Sequence, residues 1–172
     1  MNDGKRFEHN IKKSIPDNIF SLRIQDQKFE NTSLENIRFT QKNPYDLIVF
    51  YRNLFLIELK STKHPSLSIQ TNKKESGKMI KRHQIDALSK ASKYINVVPG
   101  FLINFRFAEN LIFFLHICKF IKIINMTDKK SINYKEVSTA GIHIPSYKKK
   151  VNYQYDLEHL FMYYSKKYNT NF

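Results

Sequence analysis

Apolar side chains recur along this chain with two different periods. Between residues 3 and 15, Phe7, Ile11 and Ile15 come every four positions behind Asp3, and Pro16 follows, so the spacing predicts a first helix. In NIFSLRI, residues 18–24, Ile19, Ser21 and Arg23 alternate with Phe20, Leu22 and Ile24, the pattern of a strand with one wet face. Two further strands are predicted over 45–51 and 54–60, joined tightly at Arg52 and Asn53. From Met79 to Ile95 the residues Ile80, Ala87, Leu88, Ala91 and Ile95 form a helical stripe, in which Gln84 stands where an apolar residue is due. GFLINFRF (100–107) and NLIFFLHI (110–117) are nearly continuous in apolar residues and predict strands of a sheet covered on both sides. The tail, from about Tyr155 to Tyr168, carries Leu157, Leu160, Phe161, Tyr164 and Tyr168 at helical spacing.

The polar stretches 25–44 and 61–78 are expected to be connections, the second crossing the surface, and MTDKKSINY a loop leading into a short helix. The predicted order is helix, three strands, helix, two strands and a helical tail. That is an α/β chain, one mixed sheet with helices on both sides, and its 172 residues suit a single domain.

Within this frame the hairpin 43–63, NPYDLIVFYRNLFLIELKSTK, is anomalous, because each apolar strand carries an acid. Antiparallel pairing around the break at Arg52 and Asn53 sets Asp46 opposite Glu58 or its neighbour. Alternation then puts Glu58 and Lys60 on one face. Two carboxylates brought together in a partly buried site repel unless a cation lies between them. Oxygen ligands with no Cys or His nearby favour a hard ion such as Mg²⁺, for which Mn²⁺ is expected to substitute. Such an arrangement suits phosphodiester hydrolysis, with Asp46 and Glu58 as metal ligands and Lys60 orienting the nucleophile or steadying developing charge. The plainer alternative is a turn-ending Asp46 and a surface Glu58–Lys60 pair.

Charge points to the partner. Lys and Arg number 29 against 15 Asp and Glu, a formal net charge of +14, which concentrates polyanions and makes nucleic acid the first partner to consider. Lys5, Arg6, Lys63, Lys73, Lys74, Lys81 and Arg82, which flank the predicted helices, are candidate phosphate contacts. Contacts of this kind recognise DNA shape and not base sequence. The six His show no metal-binding spacing, and the four Gly make no phosphate-binding or nucleophile-elbow motif, so zinc chemistry, nucleotide-driven motors and serine hydrolases are not expected. Cys118, the one cysteine, lies in an apolar run and is expected to be a buried thiol in a reducing, cytoplasmic setting. Charges at Arg106, Glu109, His116, Lys119 and Lys122 interrupt the greasiest region, so no membrane span is expected.

With these residues in view, PYD ending at Asp46 and ELK ending at Lys60 resemble the PD-(D/E)xK nuclease signature. The segments GKRFEHNIKKS, NPYDLIVF, IELKSTK, KRHQIDALSKAS and GFLINFR are similar to the RecU family of Holliday junction resolvases, in particular its short phage-type members, over about residues 4 to 165. The resemblance implies a restriction-endonuclease-like fold with a helix-strand-strand-strand-helix-strand core. It implies a Mg²⁺-dependent homodimer that nicks opposed strands of a four-way DNA junction. It also makes Glu8 an additional acid at the site, directly or through water, makes Gln84 a residue facing the same centre, and makes 26–43 a short stalk or a loop. Other activities consistent with the motif are nucleases of the same superfamily acting on flaps, forks or duplex. A non-catalytic basic DNA-binding protein is the alternative from another class.

Overall fold

Asp3 opens the first helix, α1 (Asp3–Ser14), at the positive end of the helix dipole, and Lys12 and Lys13 occupy its last turn. Phe7, Ile11 and Ile15 bury one face, and Pro16 blocks continuation. The computed structural model describes residues 3–24, 43–72, 74–127 and 129–169. After α1 come β1 (Phe20–Arg23), β2 (Leu47–Tyr51), β3 (Asn53–Thr62), β4 (Ser66–Ser68), α2 (Arg82–Ala91), β5 (Val97–Phe105), β6 (Leu111–His116) and α3 (Ile117–Thr127). The chain continues with β7 (Ser131–Asn133), α4 (Tyr134–Ala140), β8 (Ile142–Ile144), β9 (Ser146–Lys149), β10 (Asn152–Tyr155) and α5 (Leu157–Asn169).

Six strands form one mixed sheet in the order β1-β2-β3-β5-β6-β8. The β3–β5 pair is parallel, with α2 in the crossover between them, and the other pairs are antiparallel. The expected α/β class and core order are therefore present, in α1, β1, β2, β3, α2 and β5. Alternation along the strands sends Leu47, Val49, Phe55, Ile57, Leu59 and Leu102 toward α1 and α5. It sends Leu56, Phe101, Ile103, Phe105 and Leu115 toward α2, α3 and α4. Because both faces are covered, β3 and β5 read as apolar runs in the sequence.

Four expectations are corrected. The stretch 61–78 is not only a surface crossing: β4 pairs with β7 in a small separate sheet, and Leu67 and Ile69 are buried. A single apolar residue between two serines carries too little periodicity to announce a strand. The second helix is shorter than 79–95, since Ile80 is bridged to Ile69 ahead of α2 and Ile95 is 88% exposed beyond it. Asn96, with φ 60°, turns the chain there, and its carbonyl accepts the Leu54 N–H at 2.8 Å to start the next strand. The apolar run after β6 is a helix, α3, which buries Ile117 and Phe120 and turns Cys118 outward, so the thiol is exposed. Finally, Tyr155 ends a hairpin strand, β10, and α5 begins at Leu157. Among the described residues no helix is long and apolar enough to cross a membrane. The stalk or loop expected over 26–43 lies, up to residue 42, outside the described residues.

Candidate active site

The β2–β3 hairpin turns at Arg52, which adopts a left-handed φ of 57°, and pairs Tyr51 with Asn53 and Leu47 with Ile57. One step further out, the Asp46 N–H donates to the Ile57 carbonyl at 3.0 Å, so the ladder shifts at its end and Ile57 partners both Leu47 and Asp46. The Asp46 carboxyl still lies within hydrogen-bonding reach of the Glu58 carboxyl. The N–H of Leu59 lies past the end of β2. Asp46 Oδ2 accepts from it at 2.8 Å, which fixes the Asp46 side chain over β3.

Glu58, Lys60 and Leu56 share the face that meets α2, as the two-residue repeat of β3 requires. Glu58 is 3% exposed. Its Oε1 accepts from the Lys60 ammonium at 2.8 Å and also from the side-chain amide of Gln84. Gln84 stands in the first turn of α2, where its Oε1 accepts the Lys81 N–H at 3.0 Å, so it caps the helix and holds the acid at once. This explains the polar interruption in the apolar stripe: Gln84 is buried with both ends of its amide used. Burial pushes the Glu58 carboxyl up to about 7, Lys60 opposes the rise, and the like charge of Asp46 adds to it.

Asp46, Glu58, Lys60 and Gln84 are thus brought together. Glu8 is carried by α1, on the opposite face of the sheet, and its Oε2 accepts from the Arg23 guanidinium at the end of β1. Among the described residues no group of three or more His, Cys, Asp and Glu side chains stands close enough to hold a metal ion. The donor set at the hairpin is two facing carboxylates, one of them buried, with one neighbouring ammonium. With both carboxyls ionised that set carries one negative charge more than its ammonium offsets, and it offers only oxygen ligands, which fits a hard divalent cation. Arg23 is a site neighbour the sequence reading did not single out; its one signal is its place beside Ser21 on the wet face of β1.

No family model matches the chain. The SPbeta prophage-derived uncharacterized protein YotM of Bacillus subtilis (strain 168) is 39% identical over 173 residues, spanning 92% of this chain and 85% of that protein. The chain belongs to the YotM family. Among solved structures, Hjc of Archaeoglobus fulgidus, a Holliday junction resolvase from an archaeal hyperthermophile, aligns with a TM-score of 0.49 and 14% identity. That alignment covers 81% of this chain and 95% of Hjc.

In this YotM-family chain the candidate phosphate contacts differ in how free they are. Lys5, Lys63, Lys74 and Lys81 are exposed. Arg6 is paired with Asp3 and Arg82 with Asp86, each at 2.9 Å and in contact with solvent, so both pairs open at small cost. Lys74 and Lys81 line a hollow of about 340 Å³ beside the start of α2, with Gln70, Lys78 and His83. Lys73 lies outside the described residues.

Proposed function

We propose that this protein is a Mg²⁺-dependent, structure-selective endonuclease that resolves four-way DNA junctions by symmetric nicking. It acts as a homodimer with two symmetry-related sites. The observation that carries the reading is the meeting of two acids at the open end of the β2–β3 hairpin, where the Asp46 carboxyl lies beside a buried Glu58 held by Lys60 and Gln84. Surface ion pairs do not need such burial. The PD-(D/E)xK pattern, the similarity to phage-type RecU resolvases and the net charge of +14 support the same conclusion. The prophage origin of YotM is in keeping with a role in recombination, repair or phage DNA processing in the cytoplasm of a bacterial or phage-infected cell.

Asp46 and Glu58 would hold the Mg²⁺, or Mn²⁺ in its place. When bound, the ion supplies Lewis-acid polarisation of the phosphoryl oxygen and a water of lowered pKa. Lys60 is paired with Glu58 and orients the attacking water. Gln84 fixes the rotamer of Glu58, and Glu8 is an additional acid acting from the α1 side through water. Lys5, Arg6, Lys63, Lys73, Lys74, Lys81 and Arg82 bind backbone phosphates, so recognition follows junction shape.

The test is cleavage of four-way, forked and linear DNA at equal concentration with Mg²⁺, beside Asp46→Asn and Lys60→Ala. Symmetric nicks confined to the four-way DNA are the expected result. Equal cutting of all three substrates would indicate another nuclease of the superfamily. Tight binding with no cutting in Mg²⁺ or Mn²⁺ would indicate a non-catalytic DNA-binding protein.

A further inference from the structure

Among the described residues the hairpin β9–β10 pairs with itself alone, as a two-stranded sheet separate from the main one. Its base is anchored on α1: the Tyr155 N–H donates to Ser14 Oγ at 3.0 Å, and the Tyr155 ring packs edge-on against Phe7. Its tip departs from ordinary turn chemistry. Lys150 and Val151 form the two-residue connection, with Lys150 at φ 42°, a conformation that Asn or Gly adopts at lower cost, and with Val151 80% exposed. Neither residue does anything for the fold there, and departures of this kind gather at functional positions.

Between the tip and the last turn of α1 runs a groove of about 690 Å³, whose lining includes Lys13, Lys149 and Lys150 with Asn10, Asn152 and Gln154. Among the described residues no acidic one lines it. Among the described residues none of these three lysines forms an ion pair. Lys13 is accounted for in part by the negative end of the α1 dipole, but Lys149 and Lys150 have no such structural use. Three unpaired ammonium groups around a concave surface, with the polar residues Asn152 and Gln154 among them, match a polyanion whose charges repeat along a chain.

The groove lies on the α1 face of the sheet, whereas Glu58, Lys60 and Gln84 meet on the α2 face. We infer that the groove between α1 and the β9–β10 hairpin binds the phosphate backbone of a second duplex arm, away from the strand that is cut. This rests on the endonuclease reading above and adds to it a physical basis for preferring branched over linear DNA. A linear duplex lying along the catalytic face has no second arm to offer the far side.

The experiment measures binding and not cleavage. Fluorescence anisotropy with four-way and linear DNA, in EDTA and over a series of salt concentrations, is applied to the wild type, to Lys150→Asn and to the triple variant Lys13→Gln/Lys149→Gln/Lys150→Asn. The triple variant is expected to lose about tenfold or more in affinity for four-way DNA and less for linear DNA. Its slope of log affinity against log salt should fall by up to about 2.7, at about 0.9 per phosphate released from contact. Lys150→Asn should raise the thermal midpoint while weakening four-way binding, opposite signs that a structural lysine would not give. Unchanged four-way affinity and slope in the triple variant, or equal losses on both DNAs, overturns the inference while leaving the endonuclease reading intact. A wild type that binds neither DNA removes both.

Discussion

Gln84 donates its side-chain amide to Glu58 while its own carbonyl oxygen accepts the Lys81 N–H, so one residue ties the buried acid of β3 to the first turn of α2. Gln84→Leu keeps the volume and removes both bonds. The variant should lose about 2 kcal/mol of stability in a urea titration, because a buried carboxyl and a helix N–H are left short of a partner. Its kcat should fall at least about tenfold with KM little changed, since Gln84 positions Glu58 and does not grip DNA.

Lys60 and Glu58 form a pair with only 12% and 3% of their side chains exposed. Removing the cation in Lys60→Ala raises the cost of ionising Glu58, which takes up a proton instead of standing bare. The loss of stability at neutral pH should therefore be about 2 kcal/mol, below the full cost of breaking a buried pair. Single-turnover cleavage should drop by at least about a hundredfold, as expected for loss of a group that aids proton transfer. Restored cutting on raising the pH would count against that role for Lys60.

Mg²⁺ should stabilise the folded chain. At a hundredfold excess over Kd the gain is about 2.7 kcal/mol, a rise of about 5 °C or more in the thermal midpoint for a chain of this size. Asp46→Asn keeps an acceptor for the Leu59 N–H but loses the charge, so the metal-free variant should melt at or slightly above the wild type. The same variant should show no Mg²⁺-dependent rise, and EDTA should leave its melting unchanged. Calorimetric scans with and without metal check both statements.

The pH dependence of stability carries two opposed contributions. At the end of β6, His116 accepts the Cys118 N–H at 3.2 Å on Nδ1 and stacks with Tyr164. Burial, then Lys167 and Lys119, holds its pKa down to about 4 from 6.5. The unfolded chain therefore binds a proton there that the native state refuses, and this contribution is lost as pH falls from about 6.5 to about 4. Glu58 works in the other sense: the native state keeps its proton up to about 7, so its contribution is lost as pH rises from 4.5 to about 7. The two groups sit on opposite faces of the sheet, so the difference between wild type and His116→Gln isolates the first. That difference should change by about 1 kcal/mol across the window, discounted for the water His116 still meets.

Gly100 tests the sheet alone. A Cβ there would lie 2.6 Å from the Leu115 carbonyl oxygen and 2.6 Å from the Phe114 ring. Gly100→Ala should cost about 1–3 kcal/mol by overpacking, read from denaturant midpoints.

The hairpin site was legible in the sequence because it is local: a strict two-residue alternation and one tight turn determine which side chains of β2 and β3 meet. Gln84 was legible as an exception within a regular stripe. The Glu8–Arg23 pair was not, since it joins a helix to a strand of different period and neither residue breaks its own local pattern. The helix α3 was hidden because Ile117, Phe120, Ile121, Ile123 and Ile124 continue the greasy run of β6 with no Gly, Pro or turn residue between them, and only the spacing of Lys119 and Lys122 marks the change of period. Cys118, set in the same run, shares the outward side of α3 with Lys119 and Lys122 and is exposed in space. The short strands β7 to β10 carry three or four residues each, too few to establish a period.

The left-handed turn at Arg52 has a cost in evolvability. Surface turns generally accept an added or deleted residue, but a strand slipped by one presents its alternate set of side chains to each face. An indel at this turn would carry Asp46 to the α1 side of the sheet and leave Glu58 facing an apolar neighbour. The turn thus works as a ruler for the acid pair, and drift in this lineage should be confined there to substitutions that tolerate a positive φ.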